Sequence, residues 1–271
     1  MERIKQALEK AKAERATAGV AEHGEVAASG EASGPTLEAD IQYSQTKVVE
    51  LDARVLRKNN VIYGANDRAG LTAYKMLRTQ VLQRMVAQNW NALAISSPSE
   101  GDGKTLTSIN LAISLARELH HTVLLVDLDL RNPCVSKYFG FAPERGIDDY
   151  LVHGYPLESI LVNPGIERLV VLPARQAIEN SSELLASPAM GRLVQELKTR
   201  YPSRFVLFDV PPVLASDDAL AFAPHIDALL LVLRDAKSTR QELDHALHIL
   251  EHITVLGTVL NASSEKISTY Y

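Results

Sequence analysis

Between residues 92 and 119 an apolar run, a glycine-bearing loop and a helical pattern follow one another without a break. Residues 92–97 (Ala-Leu-Ala-Ile-Ser-Ser) read as a buried strand. In 105–119, Leu106, Ile109, Ala112, Ile113, Ala116 and Leu119 recur at the spacing of one helix face. A strand that feeds straight into a helix must cross over, and the next strand then runs parallel to the first. The alternation continues along the chain, with strand-like runs at 122–126, 169–172, 205–208, 228–233 and 255–260. Helical patterns lie at 71–90, 187–199 and 239–252, and no internal repeat is visible. Continuous apolar strands of this kind are covered on both faces. The expectation is one α/β domain over residues 46–262, doubly wound on a mostly parallel sheet.

The flanks differ. Residues 1–17 carry Ile4, Leu8 and Ala11 among charges, a weakly amphipathic charged helix with too thin a stripe to hold a fold. Residues 18–45 are rich in Ala, Gly, Glu and Ser and read as a flexible linker. Residues 263–271 form a tail that ends Ser268-Thr269-Tyr270-Tyr271. The 28 basic and 33 acidic side chains leave a net charge of −5. That balance argues against a nucleic-acid backbone as the main partner. A single cysteine, Cys134, excludes an intrachain disulfide and fits a reducing compartment. The first residues lack an apolar core of signal-peptide length, and the longest apolar runs are strand-sized. A cytoplasmic chain is therefore expected, peripheral at a membrane only through a partner. No histidine–cysteine pair has metal-ligand spacing.

The loop Pro98-Ser99-Glu100-Gly101-Asp102-Gly103-Lys104-Thr105 stands where a phosphate-binding loop belongs, after a strand and at the start of a helix. Glycines let the backbone turn its N–H groups into one concavity, and the helix start adds partial positive charge. Lys104 would reach the β and γ phosphates of ATP, and the Thr105 hydroxyl would bind Mg²⁺. Ser99 to Leu106 make up the nucleotide-binding candidates, although Pro98 replaces the first glycine of the general pattern. Two further strings follow buried strands. Asp127-Leu128-Asp129-Leu130-Arg131 is one, and Phe208-Asp209-Val210-Pro211-Pro212 the other. Either acid alone would read as a helix cap or a surface carboxylate. Ligands of open parallel sheets bind beyond the carboxyl ends of the strands, so Ser97, Asp127 and Asp209 can converge on one site.

Together these strings resemble the P-loop NTPases of the deviant-Walker superclass. More closely, they resemble bacterial tyrosine kinases of the exopolysaccharide and capsule export class. The resemblance covers roughly residues 45–261 and is strengthened by the arginine of the Asp-x-Asp-x-Arg string. Met76-Leu77-Arg78-Thr79, Gly146-Ile147-Asp148-Asp149-Tyr150-Leu151 and Gly257-Thr258-Val259-Leu260-Asn261 add to it. The N-terminal helix and Val81-Leu82-Gln83-Arg84-Met85 look most like the exosortase-associated subgroup. The resemblance implies that Asp129 and Asp209 help Thr105 hold Mg²⁺, and that Asp127 accepts the proton of an incoming tyrosine. It makes Arg131 a catalytic candidate with an open role, Asn261 a candidate for adenine recognition, and Tyr270 and Tyr271 the phosphate acceptors. Implied partners are neighbouring copies of the chain and a membrane-bound polysaccharide chain-length regulator acting as activator.

One departure accompanies the resemblance. Relatives carry Glu-x-x-Arg-x-x-Arg before the first strand, whereas here Lys75 and Arg78 stand without the glutamate. The competing reading is a partitioning or septum-positioning ATPase, a switch that phosphorylates no protein. Its loop begins with a lysine where this chain has Ser99. A nucleotide-binding regulator of export without catalysis is a further alternative. Other residues have plain readings: Cys134 as a packing residue, Asp217 and Asp218 as helix caps, and 237–240 (Lys-Ser-Thr-Arg) as a solvated helix start.

Overall fold

A computed structural model of the chain describes residues 46–63, 68–118, 120–201 and 203–264. The helix expected over 1–17, the linker expected over 18–45 and the expected phosphate acceptors Tyr270 and Tyr271 lie outside the described residues. The strands in chain order are β1 (Lys47–Val48), β2 (Ala92–Ser96), β3 (Thr122–Asp127), β4 (Val162–Asn163), β5 (Leu169–Leu172), β6 (Arg204–Asp209), β7 (Ala228–Arg234) and β8 (Val255–Asn261). The described helices are α1 (Ala53–Lys58), α2 (Arg68–Ala87), α3 (Lys104–Ala116), α4 (Val135–Phe139), α5 (Ile147–His153), α6 (Ser181–Leu185), α7 (Pro188–Thr199), α8 (Asp218–Phe222) and α9 (Arg240–Ile249).

Across the sheet the order is β1-β4-β5-β3-β6-β2-β7-β8. From β5 to β8 every neighbouring pair is parallel. β4 lies antiparallel to β5, and β1 pairs in parallel with β4. This two-strand edge was not expected, because two-residue strands are too short to show a period. Helix ends shift for identifiable reasons. α2 stops at Ala87, and Asn89 beyond it takes a left-handed φ of 57°. α3 ends at Ala116 with Arg117 as C-cap, although the apolar spacing runs on to 119.

Successive strand residues point to opposite faces, and each face has its own core. Leu124, Val126, Val206, Phe208, Leu229 and Leu231 pack with Leu185, Met190, Leu193, Leu197 and Phe222, from α6, α7 and α8. Val123, Leu125, Leu93, Ile95, Leu207 and Leu230 pack with Val81, Met85, Ile109, Ile113 and Phe139, from α2, α3 and α4. Burial of both faces explains why the strands read as unbroken apolar runs. α3 is buried along nearly its whole length, including Lys104 and Thr105. The sheet therefore holds its loop-bearing helix between two packed neighbours, with the carboxyl ends of β2, β3 and β6 adjacent.

Candidate functional site

The loop from Ser97 to Gly103 joins β2 to α3. Gly101 and Gly103 adopt φ values of 73° and 96°, a region that side chains disfavour. Gly103 is the N-cap of α3 and offers no side-chain cap, so the first helical N–H groups depend on other acceptors. A β-carbon at Gly103 would collide with Asn261 Nδ2. Conformation and close approach both require glycine there.

Register supplies the acids. Asp127 and Asp209 are the last residues of β3 and β6 and are directly paired in the ladder. Asp209 Oδ2 accepts from Thr105 Oγ1 at 2.6 Å, and its Oδ1 accepts from Ser108 Oγ at 3.0 Å. Lys104 Nζ lies 2.7 Å from Asp129 Oδ2 and 3.5 Å from Asp209 Oδ2. Ser108 was not among the sequence candidates. Its position one turn beyond Lys104, on the same helix face, is the signal that could have found it.

Asp127 is fully buried and has two unlike oxygens. Oδ2 accepts the N–H groups of Cys134 and Val135 at 3.1 and 3.0 Å, at the start of α4. Oδ1 is buried with no hydrogen-bond partner. Burial, joined by the neighbouring Asp209, pushes the Asp127 carboxyl up to about 8. Asp209 is also raised by burial, with Lys104 opposing. Burial alone would depress the Lys104 ammonium, but Asp209 and Asp129 overcome it and hold the group above its ordinary range.

Ser99 Oγ donates to Glu242 Oε1 at 2.8 Å, and Ser99 N donates to Asp102 Oδ2 at 3.1 Å. Asp102 is buried, Glu100 is exposed, and Leu106 packs against the core beneath the loop. Asn261 directs Nδ2 onto the Asp102 carbonyl at 2.9 Å. Arg131 Nε lies 3.1 Å from Ser181 Oγ and 3.2 Å from Asp218 Oδ2, and Ser181 Oγ also donates to Asp218 Oδ2 at 2.7 Å. The guanidinium thus ties the loop after β3 to the starts of α6 and α8.

Two plain readings need correction. Asp218 caps nothing: it is fully buried as the partner of Arg131 and Ser181, while Asp217 sits at the N-cap without a side-chain cap bond. Lys237 is no mere solvated helix start, because its ammonium reaches the Glu100 carbonyl and stands 3.2 Å from Asp102 Oδ1. Arg234, absent from the sequence candidates, donates from Nη1 to the Gly101 carbonyl at 2.9 Å. Both residues are remote from the loop in sequence, so no local pattern could have paired them with it. Cys134 is half-buried; its thiol donates to Asn132 Oδ1 at 3.6 Å and is pushed up by burial.

A glycine loop over a helix start, a buried lysine and strand-end carboxylates suit a nucleoside triphosphate. Thr105, Asp129 and Asp209 are an oxygen-only set suited to a hard cation. Among the described residues no group of three or more His, Cys, Asp or Glu is arranged to hold a metal ion by itself. No described helix is long and apolar enough to cross a membrane.

The AAA domain family matches residues 91–254. Tyrosine-protein kinase CpsD of Streptococcus agalactiae serotype Ia is 32% identical over 181 residues, which are 66% of this chain and 77% of that protein. Putative tyrosine-protein kinase EpsB of Ralstonia solanacearum is 30% identical over 237 residues, 86% of this chain and 31% of the relative. The chain thus spans about a third of the length of that larger relative. The crystal structure of the VpsO kinase domain superposes with a TM-score of 0.63 at 32% identity, covering 71% of this chain and 95% of that one.

Proposed function

This chain belongs to the bacterial tyrosine-protein kinases built on an AAA-type nucleotide-binding domain, and from that premise we propose that it phosphorylates tyrosines at its own C-terminus. The observation that carries the reading is the convergence of Lys104, Thr105 and Asp209 with the free oxygen of Asp127. ATP binds with its β and γ phosphates over the loop amides and Lys104. Thr105, Asp129 and Asp209 hold Mg²⁺, whose chemistry is to neutralise phosphate oxygens as charge shifts toward the leaving group. The tyrosine Oη forms a bond to the γ phosphorus while the bond from that phosphorus to the β–γ bridging oxygen breaks, releasing ADP. Asp127 Oδ1 takes the phenolic proton. A carboxyl pushed up to about 8 is a better match to that task than an ordinary one.

The acceptors in this reading are Tyr270 and Tyr271. Each phosphate adds roughly −1.5 to −2 charges, which would drive a modified tail away from Asp127, Asp129 and Asp209. The chain works with neighbouring copies of itself, and at the inner face of the plasma membrane through a chain-length regulator of polysaccharide export. The test is incubation of the full chain with Mg-ATP, followed by intact and peptide mass spectrometry beside Lys104→Met and a Tyr270→Phe/Tyr271→Phe double variant. Phosphate on either tyrosine that disappears with Lys104→Met is the expected result. ATP hydrolysis without tyrosine modification, even with a candidate regulator's cytoplasmic segment added, would overturn the proposal in favour of a switch ATPase.

A further inference from the structure

Three consecutive carbonyls of the phosphate loop are held from outside by three side chains. Glu100 O accepts from Lys237 Nζ, Gly101 O from Arg234 Nη1 at 2.9 Å, and Asp102 O from Asn261 Nδ2 at 2.9 Å. All three donors come from the ends of β7 and β8 or the turn after β7, more than a hundred residues away in sequence. The described peptides are all trans. In a trans unit the carbonyl and the following N–H point in opposite directions. Pulling these carbonyls outward therefore turns the N–H groups of Gly101, Asp102 and Gly103 to the loop's other side. None of those three N–H groups has a hydrogen-bond partner among the described residues. Successive unpaired amides on one side of a loop form a concavity for an anion.

The bracing segment is itself fixed. Ser238 N donates to Arg234 O at 2.9 Å, Arg234 N donates to Ser238 Oγ at 2.8 Å, and Ala236 between them takes a φ of 57°. Asp235 N donates to Asn261 O at 2.9 Å, which locks the ends of β7 and β8 together. The same segment grips loop side chains as well. Lys237 pairs with the buried Asp102, and Glu242, in a capping box with Thr239, accepts from Ser99 Oγ.

We infer that Lys237, Arg234 and Asn261 are positioning residues that pre-aim the loop amides at the polyphosphate of the nucleotide, and that Asn261 serves the phosphates in place of the base. The inference rests on the nucleotide reading of the site but not on which hydroxyl receives the phosphate. Each side chain acts through a carbonyl and touches no reacting atom. Asn261 is the decisive member, because it is uncharged and its removal leaves the electrostatic attraction of the loop unchanged.

The experiment is calorimetric titration of the full chain with ATP and, separately, with inorganic tripolyphosphate. It uses Asn261→Ala, Lys237→Met and Lys237→Arg, with melting temperatures confirming that each variant is folded. Loss of one such hydrogen bond should raise the Kd of both ligands by about 5–10-fold in Asn261→Ala and Lys237→Met. Lys237→Arg should recover most of it. If ATP weakens while tripolyphosphate does not, these side chains read the base and the inference is wrong. Unchanged affinity for both ligands also overturns it. If the unaltered chain binds neither ligand, the nucleotide reading itself fails and takes the inference with it.

Discussion

Lys104 Nζ lies 2.7 Å from Asp129 Oδ2, a buried ion pair that joins the first residue of α3 to the loop after β3. It means that one ammonium compensates two buried carboxylates, since Asp209 stands 3.5 Å away on the other side. Removing a single partner of such a group is more costly than removing both.

Lys104→Met should therefore lower the unfolding free energy by about 3 kcal/mol, read as a drop in the urea midpoint. Adding Asp129→Asn to Lys104→Met should return part of that loss, while ATP turnover stays absent in both. An unchanged midpoint in the single variant would show that the pair contributes nothing to stability.

Asp127→Asn should stabilise the protein in a pH-dependent way. The folded carboxyl is raised from 3.8 to about 8. A raised carboxyl lets the unfolded chain release its proton first, so stability is lost progressively between pH 4 and 8 and the cost is complete above that. The asparagine variant escapes that cost and can still accept the N–H groups of Cys134 and Val135. Its melting temperature should exceed that of the unaltered chain by about 3 °C or more at pH 8, and by less than half as much at pH 5. A gain of equal size at both pH values would contradict the assignment. Phosphoryl transfer should fall by at least ~100-fold if this carboxylate takes the tyrosine proton.

Gly103→Ala combines a collision with Asn261 Nδ2 and a φ of 96°. Nucleotide affinity should fall by at least ~10-fold, because strain of about 1–3 kcal/mol must be relieved by moving the loop. In that background Asn261→Gly removes the collision but not the backbone strain, so affinity should not return. Full recovery in the double variant would mean that the steric contact alone demands glycine.

Arg131→Ala leaves the fully buried Asp218 with Ser181 as its remaining side-chain donor. Because the guanidinium is 45% exposed, its attraction to the acid is partly screened, and the larger effect is the carboxylate left behind. We expect a loss of about 1–2 kcal/mol in chemical denaturation, partly reversed by adding Asp218→Asn. Turnover should fall alike in Arg131→Ala and Asp218→Asn if the arginine acts by holding the loop after β3. A much deeper loss in Arg131→Ala alone would place its guanidinium on the reacting phosphate.

Much of the candidate site is local in sequence and could be read there. Gly101, Gly103, Lys104 and Thr105 fall within five consecutive residues, and a strand–loop–helix context dictates their conformation. Asp127 and Asp209 were legible because each closes an unbroken apolar run, and buried parallel strands end where ligands bind. The short strands β1 and β4 and the small helices α4, α6 and α8 were not legible, since two to five residues carry no periodicity. They exist because their neighbours bury them.

What the sequence determined by itself is the fold class and the residue types that the candidate site can draw on, because hydrophobic period and glycine placement act over a few residues. Tertiary structure alone decided which side chains meet. The register of β3 on β6 sets Asp127 beside Asp209, and parallel pairing of β7 with β8 brings Arg234, Lys237 and Asn261 onto three carbonyls of a distant loop. Arg131 shows the difference most plainly. Its place in the Asp-x-Asp-x-Arg string pointed to catalysis, while packing of α6 and α8 supplied a buried carboxylate that claims its guanidinium. A side chain goes to the partner whose desolvated charge most needs it, and only the folded chain determines where that partner lies.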